Sequence, residues 1–290
     1  MARSPNTIPD DPSLRDLLLT IEGRRARARR RLSAAGFAAE TREAPQARPQ
    51  RAVTKIAPSG PGTMLDIHHV ARNLVRFSVA RPEGFGFIAG QSVRVEIDGL
   101  ERRYTIVSAP HEPHLEFFVE LVPGGRMFER LRALRPGGRV RIASAAKGGF
   151  RLKEGARRHL MLATVTGVNP YVAMLRDAVH RGVRDLGCII VHGASHADEF
   201  GYRSELETLA AERPDLLVYI PTVSRPEAPE NAGWDGSTGR ADALIDPVRA
   251  AYGLTPADTV AYACGNPGMV DNARQHLGAL GFEVRTESYG

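Results

Sequence analysis

The hydrophobic pattern of this chain changes its period once, close to residue 155, and this change constrains the fold more than any other feature. Between residues 64 and 150, short apolar segments are separated by turn residues, and Ser92–Ile97 and Val140–Ile142 alternate with period two. The spacing predicts a small antiparallel β-barrel, interrupted by one helix at Arg126–Leu134.

From His159 onward, strand-sized apolar runs alternate with helical segments. This rhythm predicts an α/β doubly wound parallel sheet, which binds its ligands at the carboxyl ends of the strands. The predicted fold class is therefore α+β with two domains, the antiparallel β-barrel followed by the parallel sheet. The predicted bounds are 1–61 for an N-terminal segment and linker, 62–155 for the barrel domain and 156–290 for the α/β domain. In the α/β domain the predicted strands are Leu160–Ala163, Cys188–Val191, Leu216–Ile220, Val260–Ala263 and Phe282–Val284, and the predicted helices are Pro170–His180, Arg203–Glu212, Ala243–Tyr252 and Met269–Leu280.

Charge is distributed unevenly along the chain. Of the 39 Lys and Arg and 33 Asp and Glu residues, 12 and 6 respectively lie in residues 1–55, which leaves 27 of each sign in residues 56–290. The formal charge of +6 therefore resides in the N-terminal segment, which is predicted to be a basic helix with disordered flanks. We expect no nucleic-acid partner except through these arginines, because the rest of the chain has no basic excess.

Cysteine content limits the redox chemistry that the chain could perform. Cys188 and Cys264 are too few and too far apart for a zinc site, an iron–sulfur cluster or a disulfide framework, so a redox function would depend on an organic cofactor and no metal site is predicted. No apolar run reaches the roughly 18–20 residues of a membrane span. Prolines and aspartates at positions 5 to 12 interrupt the place where a signal peptide needs an apolar stretch, and we therefore expect a cytoplasmic protein.

Six short motifs follow one another along the chain, and their order and spacing carry more information than any one of them. They are Phe87-Ile88-Ala89-Gly90-Gln91, Arg102-Arg103-Tyr104-Thr105, Val165-Thr166-Gly167-Val168-Asn169-Pro170, Thr222-Val223-Ser224-Arg225, Cys264-Gly265-Asn266-Pro267-Gly268-Met269 and Glu287-Ser288-Tyr289. With these motifs, residues 64–290 resemble the ferredoxin–NADP⁺ reductase family. Its members are FAD-dependent enzymes that exchange electrons between NADPH and a one-electron carrier protein.

The resemblance implies an FAD site on the barrel. Arg102 would pair with the FAD pyrophosphate, Tyr104 would stack on the isoalloxazine and the Thr105 hydroxyl would bond near flavin N5. Taken alone, the same segment also fits a β-strand with an exposed arginine and a core tyrosine. The backbone at Gly125, Arg126 and Met127, where the barrel helix is predicted to begin, would meet the pyrophosphate. Phe128 departs from the Ser or Thr that the family usually has.

The resemblance also implies an NADPH site on the parallel sheet. Thr166 and Gly167 would close the turn that lets the dinucleotide approach the backbone. Ser224 and Arg225 would contact the 2′-phosphate, and Trp234 would offer an aromatic face to adenine. An arginine that some bacterial relatives carry after the second strand of this sheet is replaced by Ser195, so NADH is not excluded as a donor.

At the reaction centre, the resemblance places Cys264 and Gly265 beside the nicotinamide, Glu287 near the flavin, and Tyr289 over the flavin face on which the nicotinamide must stack. Thr105, Cys264, Glu287 and Tyr289 are thus the predicted catalytic residues. Because hydride transfer requires contact distance and a defined angle, we expect them to position the rings rather than to react.

The sequence is consistent with three functions. The first is an FAD-dependent reductase that exchanges electrons between NADPH and ferredoxin or flavodoxin. The second is an NADH-dependent reductase component of an oxygenase system. The third is a flavin-binding sensor or scaffold whose basic tail binds nucleic acid.

Overall fold

The computed structural model of the chain describes residues 61–184 and 186–289. The predictions of a basic helix and disordered flanks before residue 61 lie outside these residues. Contacts divide the described chain into two compact units. We call residues 61–154 and 165–183 the barrel unit, and residues 155–164, 184 and 186–289 the sheet unit.

The barrel unit contains six strands that form one antiparallel sheet in the order β4-β3-β6-β1-β2-β5. All six strands contribute buried side chains to a single hydrophobic cluster, so the sheet curves around one core, as predicted. A short helix, α1 (Phe128–Ala133), precedes the last strand. The strands are β1 (Pro61–Ala71), β2 (Leu74–Ala80), β3 (Ser92–Ile97), β4 (Leu100–Thr105), β5 (His114–Glu120) and β6 (Arg139–Ile142).

Two strands of the barrel differ from the sequence prediction. The apolar pattern begins at Met64, whereas the 11-residue β1 begins at Pro61, because pairing with both β2 and β6 holds a segment of weak strand propensity. The pattern also predicts a strand at Tyr104–Val107, but β4 begins at Leu100. A two-residue turn at Asp98 and Gly99, with φ of 47° and 74°, joins β3 to β4, and these angles are those of the tight turn favoured in hairpins.

The sheet unit contains six parallel strands in the order β10-β9-β8-β7-β11-β12. All seven residues of β8, β9 and β11 are buried, which is typical of parallel strands covered on both faces. The doubly wound parallel sheet is therefore confirmed. Its strands are β7 (Arg158–Thr164), β8 (Cys188–Ala194), β9 (Leu217–Val223), β10 (Ser237–Thr238), β11 (Thr259–Gly265) and β12 (Glu283–Ser288).

Helices connect the strands of this sheet along the chain. The helix α2 (Asn169–His180) follows a 3-10 turn at Val165–Val168, and both segments belong to the barrel unit. Within the described residues, no helix is long and apolar enough to cross a membrane. The helices of the sheet unit are α3 (Arg203–Glu212), α4 (Ile245–Tyr252) and α5 (Pro267–Ala279), with 3-10 turns at Ala197–Glu199, Pro229–Asn231 and Ala241–Leu244.

A buried ion-pair network fixes α2 within the barrel unit. Glu116 of β5 is 7% exposed and binds two guanidinium groups, Arg76 at 3.0 Å and Arg176 of α2 at 2.6 Å. At the start of α2, the side chain of Asn169 donates to the carbonyl of Phe118 at 2.7 Å. At its end, the ring of His180 stacks on that of His111 with centroids 3.6 Å apart. The helix is therefore attached to the barrel at three points along its length.

Candidate functional site

The Arg-x-Tyr-Thr segment lies on β4 with an aromatic ring and a cation on one face. Arg102 and Tyr104 are two residues apart in the strand, so their side chains project from the same side. The half-buried Tyr104 ring packs edge-on against Phe77, with centroids 6.4 Å apart at 88°. Burial raises the pKa of Tyr104 to about 12, and the charge of Arg102 acts in the opposite direction. The phenol therefore stays neutral, and the ring is held in place for stacking.

The exposed guanidinium of Arg102 is available to an anion. It donates to the carbonyl of Glu101 at 2.9 Å and, within the described residues, pairs with no carboxylate. The next residue in the strand, Arg103, projects from the opposite face, where its guanidinium lies 3.4 Å from the hydroxyl of Ser92. The two neighbouring arginines are therefore not equivalent, and only Arg102 shares a face with Tyr104.

The Phe-x-x-Gly-Gln segment supports the end of β4. The side-chain oxygen of Gln91 accepts a hydrogen bond from the Ile88 amide at 2.9 Å. The backbone carbonyl of Gln91 accepts one from the Ile106 amide at 3.0 Å. Gly90 has φ of 93°, and a β-carbon there would lie 2.1 Å from the Phe150 carbonyl oxygen. This turn fixes the backbone around Thr105, which is 4% exposed.

A glycine turn precedes α1. Gly124 has φ of 74°, and the Gly125 carbonyl accepts from the Phe128 amide at 3.0 Å. The structure places Arg126 at the surface and buries Met127, which caps the helix without a side-chain hydrogen bond. The predicted helix Arg126–Leu134 is therefore shorter than expected, because the turn uses its first two residues.

An arginine cluster surrounds this short helix, and the sequence pattern did not single it out. Its members lie between residues 126 and 139, and within the described residues none pairs with a carboxylate. Residues 61–154 contain 15 Lys and Arg against 10 Asp and Glu. This part of the barrel unit is therefore basic, although residues 56–290 taken together carry no net formal charge. The arginine cluster comprises Arg126, Arg130, Arg132, Arg135 and Arg139.

Three predicted reaction-centre residues come together at the carboxyl edge of the sheet unit. Cys264 of β11 lies beside Glu287 of β12 in the parallel register, and the Tyr289 amide donates to the Gly265 carbonyl at 3.1 Å. Burial raises the pKa of the Cys264 thiol strongly, a hydrogen bond from the Tyr289 side chain lowers it, and the charge of Glu287 raises it. The thiol is therefore protonated and uncharged, suited to packing beside a ring rather than to nucleophilic attack.

Gly265 has a conformation and a location that only glycine tolerates. Its φ is 125°, and a β-carbon would lie 2.2 Å from the Thr164 hydroxyl and 2.9 Å from the Thr164 carbonyl oxygen. That hydroxyl accepts a hydrogen bond from the Asn266 amide at 2.7 Å, and Asn266 caps α5 through the amides of Gly268 and Met269. The end of β7, the end of β11 and the start of α5 are thus locked together.

The predicted 2′-phosphate residues lie at the carboxyl end of β9. Ser224 and Arg225 are both exposed, and the Ser224 amide donates to the Ala194 carbonyl of β8 at 2.9 Å. Trp234 is already engaged by neighbours, since Phe200 stacks on it with centroids 5.4 Å apart and the Arg203 guanidinium lies 4.7 Å from its centroid. Trp234 therefore lies within a stack of one arginine and two aromatic groups.

Comparison with known proteins decides what this geometry belongs to. The chain is 36% identical over 194 residues to the flavodoxin/ferredoxin–NADP reductase of Shigella flexneri, covering 63% of this chain and 76% of that protein. It is 30% identical over 235 residues to the ferredoxin–NADP reductase of Pseudomonas aeruginosa, covering 76% and 90%. The chain belongs to the ferredoxin–NADP⁺ reductase family.

Family models and a solved ferredoxin–NADP⁺ reductase agree with this membership. The oxidoreductase FAD-binding domain matches residues 62–151, and the oxidoreductase NAD-binding domain matches residues 161–275. The crystal structure of a ferredoxin NADP⁺ reductase from Neisseria gonorrhoeae with bound FAD and NADP has a TM-score of 0.70 and 26% identity. That match covers 80% of this chain and 99% of the other.

The turn that leads into α2 in this ferredoxin–NADP⁺ reductase family member has an unusual backbone. Val165 has a φ of 44°, which is an unusual angle for a β-branched residue. Thr166 and the buried Gly167 follow within the same 3-10 turn. The Asn169 side chain is 3% exposed and donates to the Phe118 carbonyl. The Asn169 side chain thus ties the end of this turn to β5, the strand that contains Phe118.

Proposed function

We propose that this chain transfers electrons between NADPH and a one-electron carrier protein, ferredoxin or flavodoxin, with FAD as its resident cofactor. The observation that carries the proposal is the convergence of Cys264, Glu287 and Tyr289 around Gly265, because this cluster combines an uncharged thiol, a carboxylate and an aromatic ring at the carboxyl edge of the sheet. FAD would supply the chemistry that these side chains lack, namely the exchange of electron pairs with nicotinamide and of single electrons with the carrier.

The residues of the barrel unit fit the binding of FAD. Tyr104 presents a neutral, fixed ring, and Arg102 presents a guanidinium that no carboxylate of the described chain neutralises. We assign Arg102 to the pyrophosphate, Tyr104 to stacking and Thr105 to a hydrogen bond with the flavin ring. Gly125, Arg126 and Met127 would supply backbone contacts, and the exposed Arg126 could compensate for the hydroxyl that Phe128 lacks.

The residues of the sheet unit fit the binding of NADPH. Ser224 and Arg225 would bind the 2′-phosphate, and Trp234 would lie beside adenine. We assign Thr166 and Gly167, which lie outside the sheet unit in the 3-10 turn before α2, to the pyrophosphate. Cys264 and Gly265 would border the nicotinamide, Glu287 would lie near the reacting rings, and Tyr289 would compete with the nicotinamide for the flavin. None of these side chains needs to change its covalent state, so their contribution is positioning.

The arginine cluster around α1 supports an acidic carrier as the partner. Basic surfaces attract acidic proteins and raise their association rates at low ionic strength. The arginines before residue 61 could add to this attraction, and their steering role stays a prediction, as does a cytoplasmic location.

The function is tested with the purified protein by its visible spectrum and by carrier reduction. We expect flavin bands from bound FAD, bleaching on addition of NADPH without oxygen, and NADPH-dependent reduction of an added ferredoxin or flavodoxin. A spectrum bleached by NADH alone would favour the oxygenase-reductase alternative. Bound flavin that neither nucleotide reduces would favour the sensor alternative, and a protein that takes up no FAD would contradict the proposal.

Replacing Arg225 with alanine should impair the use of NADPH selectively. Loss of a charge-assisted hydrogen bond costs about 1.5–3 kcal/mol, so the KM for NADPH should rise about 10- to 100-fold while the KM for NADH changes little. Steady-state kinetics with each nucleotide measure the difference. Arg274→Ala, which removes an exposed arginine paired with Asp271 on α5, is the control and should leave both constants unchanged. Equal changes for the two nucleotides would contradict the assignment of Arg225.

Replacing Tyr289 with serine should strengthen nicotinamide binding. The ring competes with the nicotinamide, so its removal should lower the dissociation constant of NADP⁺ and raise activity with NADH; titration of the flavin spectrum with NADP⁺ measures the first effect. Tyr289→Phe keeps the ring and removes only the hydroxyl that bonds to Cys264, and it should therefore behave like the wild type. If both variants bind NADP⁺ as the wild type does, the stacking role is wrong.

A further inference from the structure

Asn231 occupies the centre of the loops that carry the predicted 2′-phosphate and adenine contacts. It ends the 3-10 turn Pro229–Asn231 between Arg225 and Trp234, and it is only 3% exposed. A buried amide is costly unless its polar atoms are paired, so its partners indicate what it stabilises.

The Asn231 side chain binds two separate loops at once. Its Nδ2 donates to the Ser195 carbonyl at 2.9 Å, in the loop after β8, and to the Arg225 carbonyl at 2.7 Å, in the loop after β9. Its Oδ1 accepts from the Ala197 amide at 2.8 Å. Only this orientation of the amide satisfies all three groups, because a reversed amide would set its oxygen against two carbonyls.

The backbone of Asn231 extends the same framework in both directions. Its amide donates to the Ala228 carbonyl at 2.8 Å, and the Ala228 amide donates to the Arg225 carbonyl at 3.0 Å. Its carbonyl accepts from the Trp234 amide at 2.9 Å. Arg225, Ser195 and Trp234 are therefore all held, directly or through one peptide unit, by this residue.

We propose that Asn231 is a positioning residue that sets the preference for NADPH over NADH by fixing the backbone at Arg225 against the loop that carries Ser195. The inference rests on the proposed function, since it assumes that Arg225 meets the 2′-phosphate. Asn231 needs no contact with the nucleotide. It acts by holding the cation in place, which matters here because Ser195 supplies no second guanidinium.

The variant Asn231→Asp separates this role from simple packing. Aspartate has nearly the same shape and can still accept from the Ala197 amide, but it cannot donate to the carbonyls of Ser195 and Arg225. The loops should part at these two bonds while the fold remains. Asn231→Ser replaces the amide with a single, shorter hydroxyl donor that cannot bond both carbonyls, and it adds no charge. The same loss in both variants therefore cannot come from repulsion between the aspartate and the 2′-phosphate, and the serine variant alone carries the test if the aspartate variant does not fold.

The test uses the FAD-loaded, full-length protein and two nucleotide probes, 2′,5′-ADP and 5′-AMP, which differ by the 2′-phosphate. Calorimetric titration should show that Asn231→Asp raises the dissociation constant of 2′,5′-ADP by about 5- to 20-fold. The dissociation constant of 5′-AMP should stay within about twofold of the wild-type value. The kcat/KM ratio of NADPH to NADH should fall by the same factor. Tyr219→Phe is the matched control, because it removes another buried hydrogen bond between β8 and β9, that of His192 with the Tyr219 hydroxyl at 3.0 Å, and it should change neither ratio.

The outcomes distinguish the inference from the function on which it rests. If wild-type protein binds 2′,5′-ADP no better than 5′-AMP, the 2′-phosphate site and the inference both fail. If the wild type discriminates but the Asn231 variants weaken both probes equally, or neither, the proposed function stands and the positioning role is overturned.

Discussion

Gly265→Ala should abolish most NADPH-dependent turnover while the protein still binds FAD. The added β-carbon would lie 2.2 Å from the Thr164 hydroxyl and 2.9 Å from the Thr164 carbonyl oxygen, at a φ of 125° that alanine avoids. Relief of this clash must move the strand end that carries Cys264 and break the hydrogen bond between Thr164 and the Asn266 amide. A displacement of about 1 Å at a reacting ring can cost about 100-fold in rate.

The same substitution should also destabilise the protein. Backbone strain of this kind costs about 1–3 kcal/mol and overpacking costs a similar amount, so the free energy of unfolding should fall by about 2–6 kcal/mol. Thermal denaturation, FAD content and NADPH kinetics measure the three effects. Gly278→Ala in α5, where a β-carbon meets nothing within 4 Å, is the control and should stabilise by up to about 1 kcal/mol. Unchanged turnover in Gly265→Ala would show that this strand end does not position the nicotinamide.

Arg102→Ala and Tyr104→Ala should each weaken the binding of FAD, and the double variant should be isolated without flavin. Loss of a charge-assisted hydrogen bond costs about 1.5–3 kcal/mol, and loss of a stacking ring costs about 1–3 kcal/mol. Each single variant should therefore raise the dissociation constant of FAD about 10- to 100-fold. Titration of the apoprotein with FAD measures the dissociation constant. The titration is done well below the unfolding temperature of each variant, so that unfolding caused by the lost contact with Phe77 does not contribute to the change.

Two variants on the same strand serve as controls for the flavin site. Tyr104→Phe keeps the ring whose hydroxyl is assigned no role, and it should retain FAD. Arg103→Ala removes the arginine on the opposite face of β4, where its guanidinium bonds weakly to Ser92, and it should also retain FAD. Loss of flavin in Arg103→Ala but not in Arg102→Ala would reverse the assignment of the two faces.

The sequence predicted the two-part fold because each part has its own hydrophobic period. Predictions were best where burial decides the pattern: Arg203–Glu212 is a helix at the predicted bounds, and β3 agrees with its period-two segment. They failed where pairing with distant strands overrides local preference. Strand β1 begins at Pro61 because β2 and β6 hold it, and β10 has only two residues, paired with β9.

The proximity of residues from different motifs could be predicted from the sequence, but the residues that support them could not. The sequence pointed to Cys264, Glu287 and Tyr289, whose convergence follows from the register of β11 and β12. Nothing in the local pattern pointed to Asn231 or Thr164, because their hydrogen-bond partners are distant in the sequence. Asn231 bonds to Ser195, 36 residues earlier, and Thr164 bonds to Asn266, 102 residues later. The arginine cluster could not be predicted from net charge, because acidic residues elsewhere in residues 56–290 cancel its charge in the sum.

The attachment of α2 has a consequence for how this chain can be divided or recombined. The helix lies inside the segment that matches the NAD-binding domain, yet Asn169, Arg176 and His180 fasten it to groups of the barrel unit. A fragment ending at residue 155 would lose Arg176 and leave the buried Glu116 with one of its two cations. A chimaera that takes its nucleotide-binding half from a related chain should therefore fold only when α2 and the barrel come from the same parent. The unit that must be kept together is made of two separate segments of the sequence, not of one continuous stretch.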